Sequence, residues 1–396
     1  MSSPTRSRFF SALGLAAGMT LLLAAPAGAA SPGDDVVAFT ADNIEKSSVS
    51  PDGSTIALSS YIDDTVKLID TASGVATTMT TGFGGPGGSV FTPDGSRLYV
   101  ANYDIPNIAV IDVATATVTG LISGVFSGPW VLEISPDGDT LYIGDYTSNN
   151  IFFNDISTLI ISLTATVDIS ASTDGIYGMY LSADGSQIFG VDEDGSVVVV
   201  DVATESVVDA WNDVTLGNSY GGCVSPDGTV LYQPDSTDSA LYSSSLATGA
   251  VLASNVATQQ TEYGTHTDCA VSPDGSSVFV SHWDAFDPGV VTEYDATTLE
   301  FIEAHLFTSL DFTQQIVFYS ACDAFVAGYE GGAQSFQITD GDCAPAAAAP
   351  DDSELAATGL NASTTAGAAA LAGIVILAGA GALVLRSRRR AGSLAD

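Results

Sequence analysis

Two histidines and a carboxylate give this chain its most direct route to chemistry. His266, His282 and Asp284 are donor types that hold a transition metal when three of them converge. The two histidines fall in successive loops of one repeat unit, which places them at the same end of that unit. No HxxxH or CxxC spacing accompanies them, and His305 lies elsewhere. Calcium, held by carboxylates and turn carbonyls, suits the acidic loops better. Even so, Asp192-Glu193-Asp194-Gly195 lacks the twelve-residue EF-hand pattern, so the sequence fixes no cofactor. No GxSxG element or other nucleophile–base pair stands out, and no catalytic residue is assigned.

A second set of side chains is suited to binding. Tyr61, Tyr103, Tyr146 and Trp283 follow one kind of strand, whereas Trp130, Tyr177, Tyr220 and Tyr263 precede another. Loops of these two kinds gather at one end of the repeat array. Together the eight aromatics offer faces for a sugar, a peptide or a cation. For any one of them, the plainer reading is a loop aromatic that caps the edge of a sheet.

Charge narrows the partners. Of the nine basic residues, Arg6 and Arg8 stand at the N-terminus and Arg386, Arg388, Arg389 and Arg390 near the C-terminus. Between Ser31 and Thr358 only Lys46, Lys67 and Arg97 remain against 46 acids, so that segment carries 3 − 46 = −43. Nucleic-acid binding needs concentrated positive charge, so that partner is excluded. Adaptation to high salt is a bland alternative source of the acidity. A hydrophobic fraction of 46% argues against disorder.

These loops are positioned by a repeat. Ser50-Pro51-Asp52-Gly53 recurs around Asp94, Asp137, Asp184, Asp227 and Asp274, at steps of 42, 43, 47, 43 and 47 residues. Pro presets φ, Asp binds its own backbone, and Gly accepts positive φ. About twenty residues later comes a second turn, such as Asp112-Val113-Ala114-Thr115. Short β-branched and aromatic strands lie between, such as Leu98-Tyr99-Val100 and Ile108–Ile111. A period near forty with two turns per unit predicts an all-β fold of four-stranded antiparallel propeller blades.

A degenerate seventh unit runs through Ala324–Tyr329 and Gln334–Ile338 and lacks a fourth strand. Residues 35–40 form a strand with no unit of its own. Lending it to the last unit closes a seven-bladed ring over 31–343 and leaves no blade face uncovered. The unit with Tyr99-Val100-Ala101-Asn102 resembles the YVTN-type (YncE-like) β-propeller repeat of bacterial and archaeal surface proteins.

Four cysteines in a secreted chain suggest disulfides. Cys322 lies in the first turn of the last unit and Cys343 just after its third strand, so the two can meet. Cys223 and Cys269 then pair by elimination, or stay as buried free thiols if neighbouring innermost strands are too far apart.

The ends carry an address. Residues 1–30 read as a signal peptide: Arg6 and Arg8, the apolar run Leu13–Ala25, then Ala27-Gly28-Ala29. Residues 344–354 are an Ala/Pro-rich linker. Leu355-Ala356-Ala357-Thr358-Gly359 follows, then the uncharged span 366–385, long enough to cross a bilayer, and the basic tail 386–396. This order resembles the cell-wall sorting signal of Gram-positive bacteria, in the LAxTG variant associated with actinobacterial class E sortases. Ala356 replaces the Pro of the commoner LPxTG form. The resemblance implies cleavage after Thr358 by a sortase and transfer to peptidoglycan, with the membrane touched only through the precursor's C-terminal helix. A plain transmembrane anchor is the alternative.

Two functions follow. One is a wall-anchored surface propeller that binds an extracellular protein or glycan. The other is an extracellular propeller enzyme, lactonase-like or redox-associated, working through a metal at the channel mouth. The second needs a His/Arg cluster or axial histidines there, and Arg97 is the only arginine between Ser31 and Thr358.

Overall fold

The computed structural model describes residues 44–337, apart from 159–160, 213–215, 217–218, 257–262, 284–288, 308–309, 311 and 329–332. The signal peptide, residues 35–40, Asp284, Cys343, the linker, Leu355–Gly359, the 366–385 span and the basic tail lie outside these residues. Among the described residues, no helix is long and apolar enough to cross a membrane.

Six antiparallel four-stranded sheets follow one another along the chain, each with its strands in sequence order. Blade 1 runs from Ile44–Val49 through Thr55–Ser60 and Thr65–Asp70 to Ala76–Met79. Blades 2 to 6 span 86–123, 129–168, 178–211, 223–254 and 265–307. A last sheet has three strands, Thr313–Phe318, Asp323–Gly328 and Ala333–Gln337. The structure thus shows six blades, not the expected seven. The fourth strand of the last sheet was to come from residues 35–40, which are outside the described set.

The turn chemistry works as the residues dictate. Asp94 Oδ1 accepts from Thr92 Oγ1 at 2.6 Å and from Ser96 N and Oγ at 3.0 and 2.8 Å. These bonds, the Thr92 hydroxyl first, hold its pKa down to about 2. The same arrangement recurs at Asp52, Asp137, Asp184, Asp227 and Asp274. Each such turn joins the first two strands of a sheet and lies at the end opposite the aromatic loops.

Burial explains the strand composition. Sheets pack face to face, so the second and third strands are covered on both sides and read as apolar runs. Leu98, Tyr99, Val100 and Ala101 are all fully buried. Outermost strands keep apolar residues in solvent, including Leu121, Val207 and Val208. A separate apolar cluster fills each gap between consecutive sheets. One further cluster joins the ends: Phe325, Ala327 and Ala333 of the three-stranded sheet pack with Ile44, Ile56, Leu58 and Ile69 of blade 1.

Cys223 and Cys269, on the innermost strands of blades 5 and 6, form a disulfide with a Cα–Cα distance of 5.5 Å. Adjacent innermost strands therefore approach closely enough for a bond between blades. Cys322 is also disulfide-bonded, and its expected partner Cys343 is not among the described residues.

Candidate functional site: the aromatic mouth

The second strand of each four-stranded blade ends on a polar residue or on one that abuts it, and in blades 2, 3, 4 and 6 that position ties the blade to its own incoming loop. Asn102 accepts from Gly84 N at 3.3 Å and donates to Gly82 O at 3.1 Å. Asp145 Oδ2 accepts from Ser127 N at 2.7 Å and Gly128 N at 3.1 Å, while Oδ1 takes Thr147 N and Ser148 N. Asp192 Oδ2 accepts from Asp174 N at 2.8 Å. The loop carboxylates of Asp145 and Asp192 are thus committed to backbone N–H groups, which offsets the cost of burying them.

His282 occupies this same place in blade 6. Its Nδ1 lies 3.4 Å from Gly264 O, a carbonyl of the incoming loop, and its Nε2 lies 2.7 Å from Thr292 Oγ1. A carbonyl only accepts, so Nδ1 carries the proton and Nε2 accepts from the Thr292 hydroxyl. His266 stands across the strand pair, with Nδ1 donating to Ala240 O at 3.0 Å and Nε2 buried with no partner among the described residues. Both side chains are wholly buried. Burial lowers the His266 pKa to about 4 and that of His282 well below the usual imidazole value. The pair is a neutral strut inside the blade 5–blade 6 contact and offers one unengaged lone pair. Among the described residues, one set of three groups is close enough to share an ion: Glu293, Glu303 and His305, on the outer strands of blade 6. There His305 Nε2 is hydrogen-bonded to Glu293 Oε2 at 3.2 Å.

The aromatic residues behave differently. Tyr61, Tyr103 and Tyr146 each directly follow that position in blades 1, 2 and 3. Each lies over a glycine in the loop entering the next blade. A Cβ on Gly85 would sit 2.8 Å from the Tyr61 ring, on Gly128 2.8 Å from Tyr103, and on Gly175 2.7 Å from Tyr146. Gly85 and Gly175 also have φ of 61° and 142°, which side chains rarely adopt. Tyr61 OH donates to Asp104 Oδ1 at 3.1 Å, and Thr147 Oγ1 donates to Tyr103 OH at 3.3 Å, so each link crosses between neighbouring blades.

The result is one continuous arc. Ring centroids are 6.2 Å apart for Tyr61–Tyr103, 5.8 Å for Tyr103–Trp130, 6.3 Å for Trp130–Tyr177 and 6.0 Å for Tyr177–Tyr220. Tyr146 joins it 5.0 Å from Tyr177. Most of these contacts are edge-to-face, the favoured arrangement for ring quadrupoles. Trp130, Tyr177, Tyr220 and Trp283, from four successive blades, line a cavity of about 400 Å³ at the mouth. Trp283 stacks on Phe312, with centroids 5.5 Å apart. Tyr263 departs from expectation: it stacks on Phe301 of the outermost strand of blade 6 and is not in the arc.

Sequence reading missed the wall of the channel. Glu45, Lys46, Gln314 and Gln315, on the innermost strands of blade 1 and the last sheet, complete the mouth cavity. A second cavity of about 480 Å³ continues inward past Lys46, Tyr180 and Asp268. Burial raises the Asp268 pKa to about 6 and the Glu133 pKa to about 8. Both residues are half-buried, and Asp268 lines this second cavity. For Lys46 and Asp268 the available signal was position in the repeat: each is a charged residue shortly before a Pro-Asp-Gly turn and so falls on an innermost strand.

Fold and site together define the class: this is a β-propeller. Among solved structures it is similar to hydrazine synthase of Kuenenia stuttgartiensis, at 18% identity and TM-score 0.64 over 76% of this chain and 97% of that one. It is also similar to the β-propeller domain of Cps50 (Swd1) from Myceliophteria thermophila, at 11% identity and TM-score 0.63 over 76% and 99%. At these identities the likeness shows the fold alone. No protein-family model and no curated protein matches the sequence.

Proposed function

We propose that this chain is a secreted binding propeller, tethered to a Gram-positive cell wall through Leu355–Gly359, which presents its aromatic mouth to an extracellular partner. The carrying observation is the arc from Tyr61 to Tyr220, which gathers rings from five blades beside a cavity that Trp283 of a sixth completes. A mouth built this way commits large apolar faces to the one end of the propeller that its turns leave free. The fold is compatible with a protein-interaction role. The proposed address rests on the order of signal peptide, LAATG, apolar span and arginines, with a sortase and peptidoglycan as processing partners. Residues 35–40 are proposed to complete the last sheet beside Ala333–Gln337 and so to make a seventh blade.

An array carrying both glycans and peptides tests the binding reading. Ligands should lose at least tenfold in affinity with Tyr220→Ala and Trp283→Ala, and nothing with Leu121→Ala on the outer strand of blade 2. Array binding indifferent to both mouth substitutions would overturn it.

A further inference from the structure

Resting on that reading, we infer that the mouth cavity takes an uncharged saccharide unit, held by hydroxyl groups between the faces of Trp130, Tyr177, Tyr220 and Trp283. Four observations carry this.

Two residues of the cavity wall each carry a buried polar atom that has no partner among the described residues. Trp130 is only 6% exposed, and among the described residues nothing accepts from its Nε1. Gln314 Oε1 is buried and likewise without a donor. Both residues line the cavity. Buried polar atoms are rarely left so, because each forfeits the hydrogen bonds it made with water. A hydroxyl both donates and accepts, so one kind of ligand group can satisfy either atom.

The aromatic lining matches the other half of a sugar. Pyranose rings carry apolar C–H faces, which pack on flat aromatic surfaces. The exposed ring of Tyr220, 40% accessible, is available at the rim.

Apart from Glu45 and Lys46, the remaining polar lining is uncharged and two-sided. Ser236, Thr265 and Thr267 add hydroxyls and Gln315 an amide. Thr265 Oγ1 donates to Trp283 O, Thr267 Oγ1 bonds Ser281 Oγ, and Gln315 Nε2 donates to Gln314 O, each oxygen keeping a further lone pair. Such groups accept or donate according to what faces them.

Charge selects for neutrality. Glu45 and Lys46 are adjacent in sequence and both line the cavity, so the site carries one charge of each sign. Lys46 Nζ already reaches the Tyr220 carbonyl at 3.5 Å. The strongly negative surroundings repel a polyanion before it arrives. A volume of about 400 Å³ lies in the range of small-ligand sites.

The test uses the mature propeller and a panel of neutral oligosaccharides of α- and β-linked glucose, galactose and mannose. Titration calorimetry and tryptophan fluorescence read binding, since two of the three tryptophans, Trp130 and Trp283, line the site. At least one panel sugar should bind. Trp130→Phe, which keeps a ring but deletes the N–H, should weaken it about tenfold, and Gln314→Ala should do the same. Both variants should melt like the parent; if Trp130→Phe does not fold, Gln314→Ala alone decides. No binding across the panel overturns the inference, as does sugar binding unchanged by Gln314→Ala. Peptides that bind with dependence on Tyr220 while no sugar does would also overturn it, yet leave the binding function standing.

Discussion

His282 stands directly across the strand pair from His266, with ring centroids 4.9 Å apart and both rings fully buried. His282 fills the position that Asn102, Asp145 and Asp192 fill in blades 2, 3 and 4. Its work is to hold the incoming loop, so its replacement should be read as lost stability. His282→Ala should cost about 2–4 kcal/mol, from a cavity and stranded polar groups. His282→Asn, which copies blade 2, should recover part of this. Denaturant midpoints check both.

The same pair sets an acid limit. In the folded state burial holds the pKa of His266 down to about 4 and that of His282 well below its ordinary value of 6.5. Between those values and pH 6.5 the unfolded chain binds more protons, so stability falls as pH drops through this window. His266 alone accounts for ~3 kcal/mol at the limit. Asp94 acts with the same sign further down: its contribution, present above pH 3.8, is lost as pH falls through about 2. Asp268 and Glu133 have the opposite sign. Their folded pKa values are raised to about 6 and about 8, so stability present at low pH is lost as pH rises through those values. Thermal melts of His266→Gln should flatten the acid limb, and melts of Glu133→Gln should raise the midpoint at pH 8 more than at pH 4.

The Cys223–Cys269 bond closes 46 residues and joins two blades. Chain entropy gives ~4 kcal/mol for a loop of that length. Replacing both cysteines with serine should lower the denaturation midpoint accordingly. It should leave the mouth unchanged, because the two cysteines line the second cavity and not the mouth cavity.

Removal of residues 31–40 tests the seventh blade. If Val36, Val37 and Phe39 cover the last sheet, their loss should cost on the order of 3–5 kcal/mol. Hydrogen exchange should then accelerate first in Ala333–Gln337, the strand that residues 35–40 would pair with. A shortened protein as stable as the parent would show that the last sheet needs no fourth strand.

Thr358→Ala should leave the protein membrane-held and extractable by detergent, whereas the parent should need wall digestion for release. Mass spectrometry of the released parent should end at Thr358. A parent that detergent alone extracts would mark a plain membrane anchor.

Turns, strands and period were legible because each follows from local chemistry. Pro93-Asp94-Gly95 makes its turn from its own side chains, and the Leu98–Ala101 run is apolar because both its faces are covered. The mouth was legible in outline, since residues one place after a strand end share a side of the repeat, and seven of the eight expected aromatics do meet there. What only the tertiary structure decided depends on neighbours distant in sequence. Tyr263 left the arc because Phe301 offered it a parallel face. His266 and His282 became a buried strut because Ala240, Gly264 and Thr292 took three of their four ring nitrogens. Gln314 joined Trp130 in one cavity because the last sheet comes round to blade 1, a contact that closes across the whole ring and leaves no trace in any single repeat.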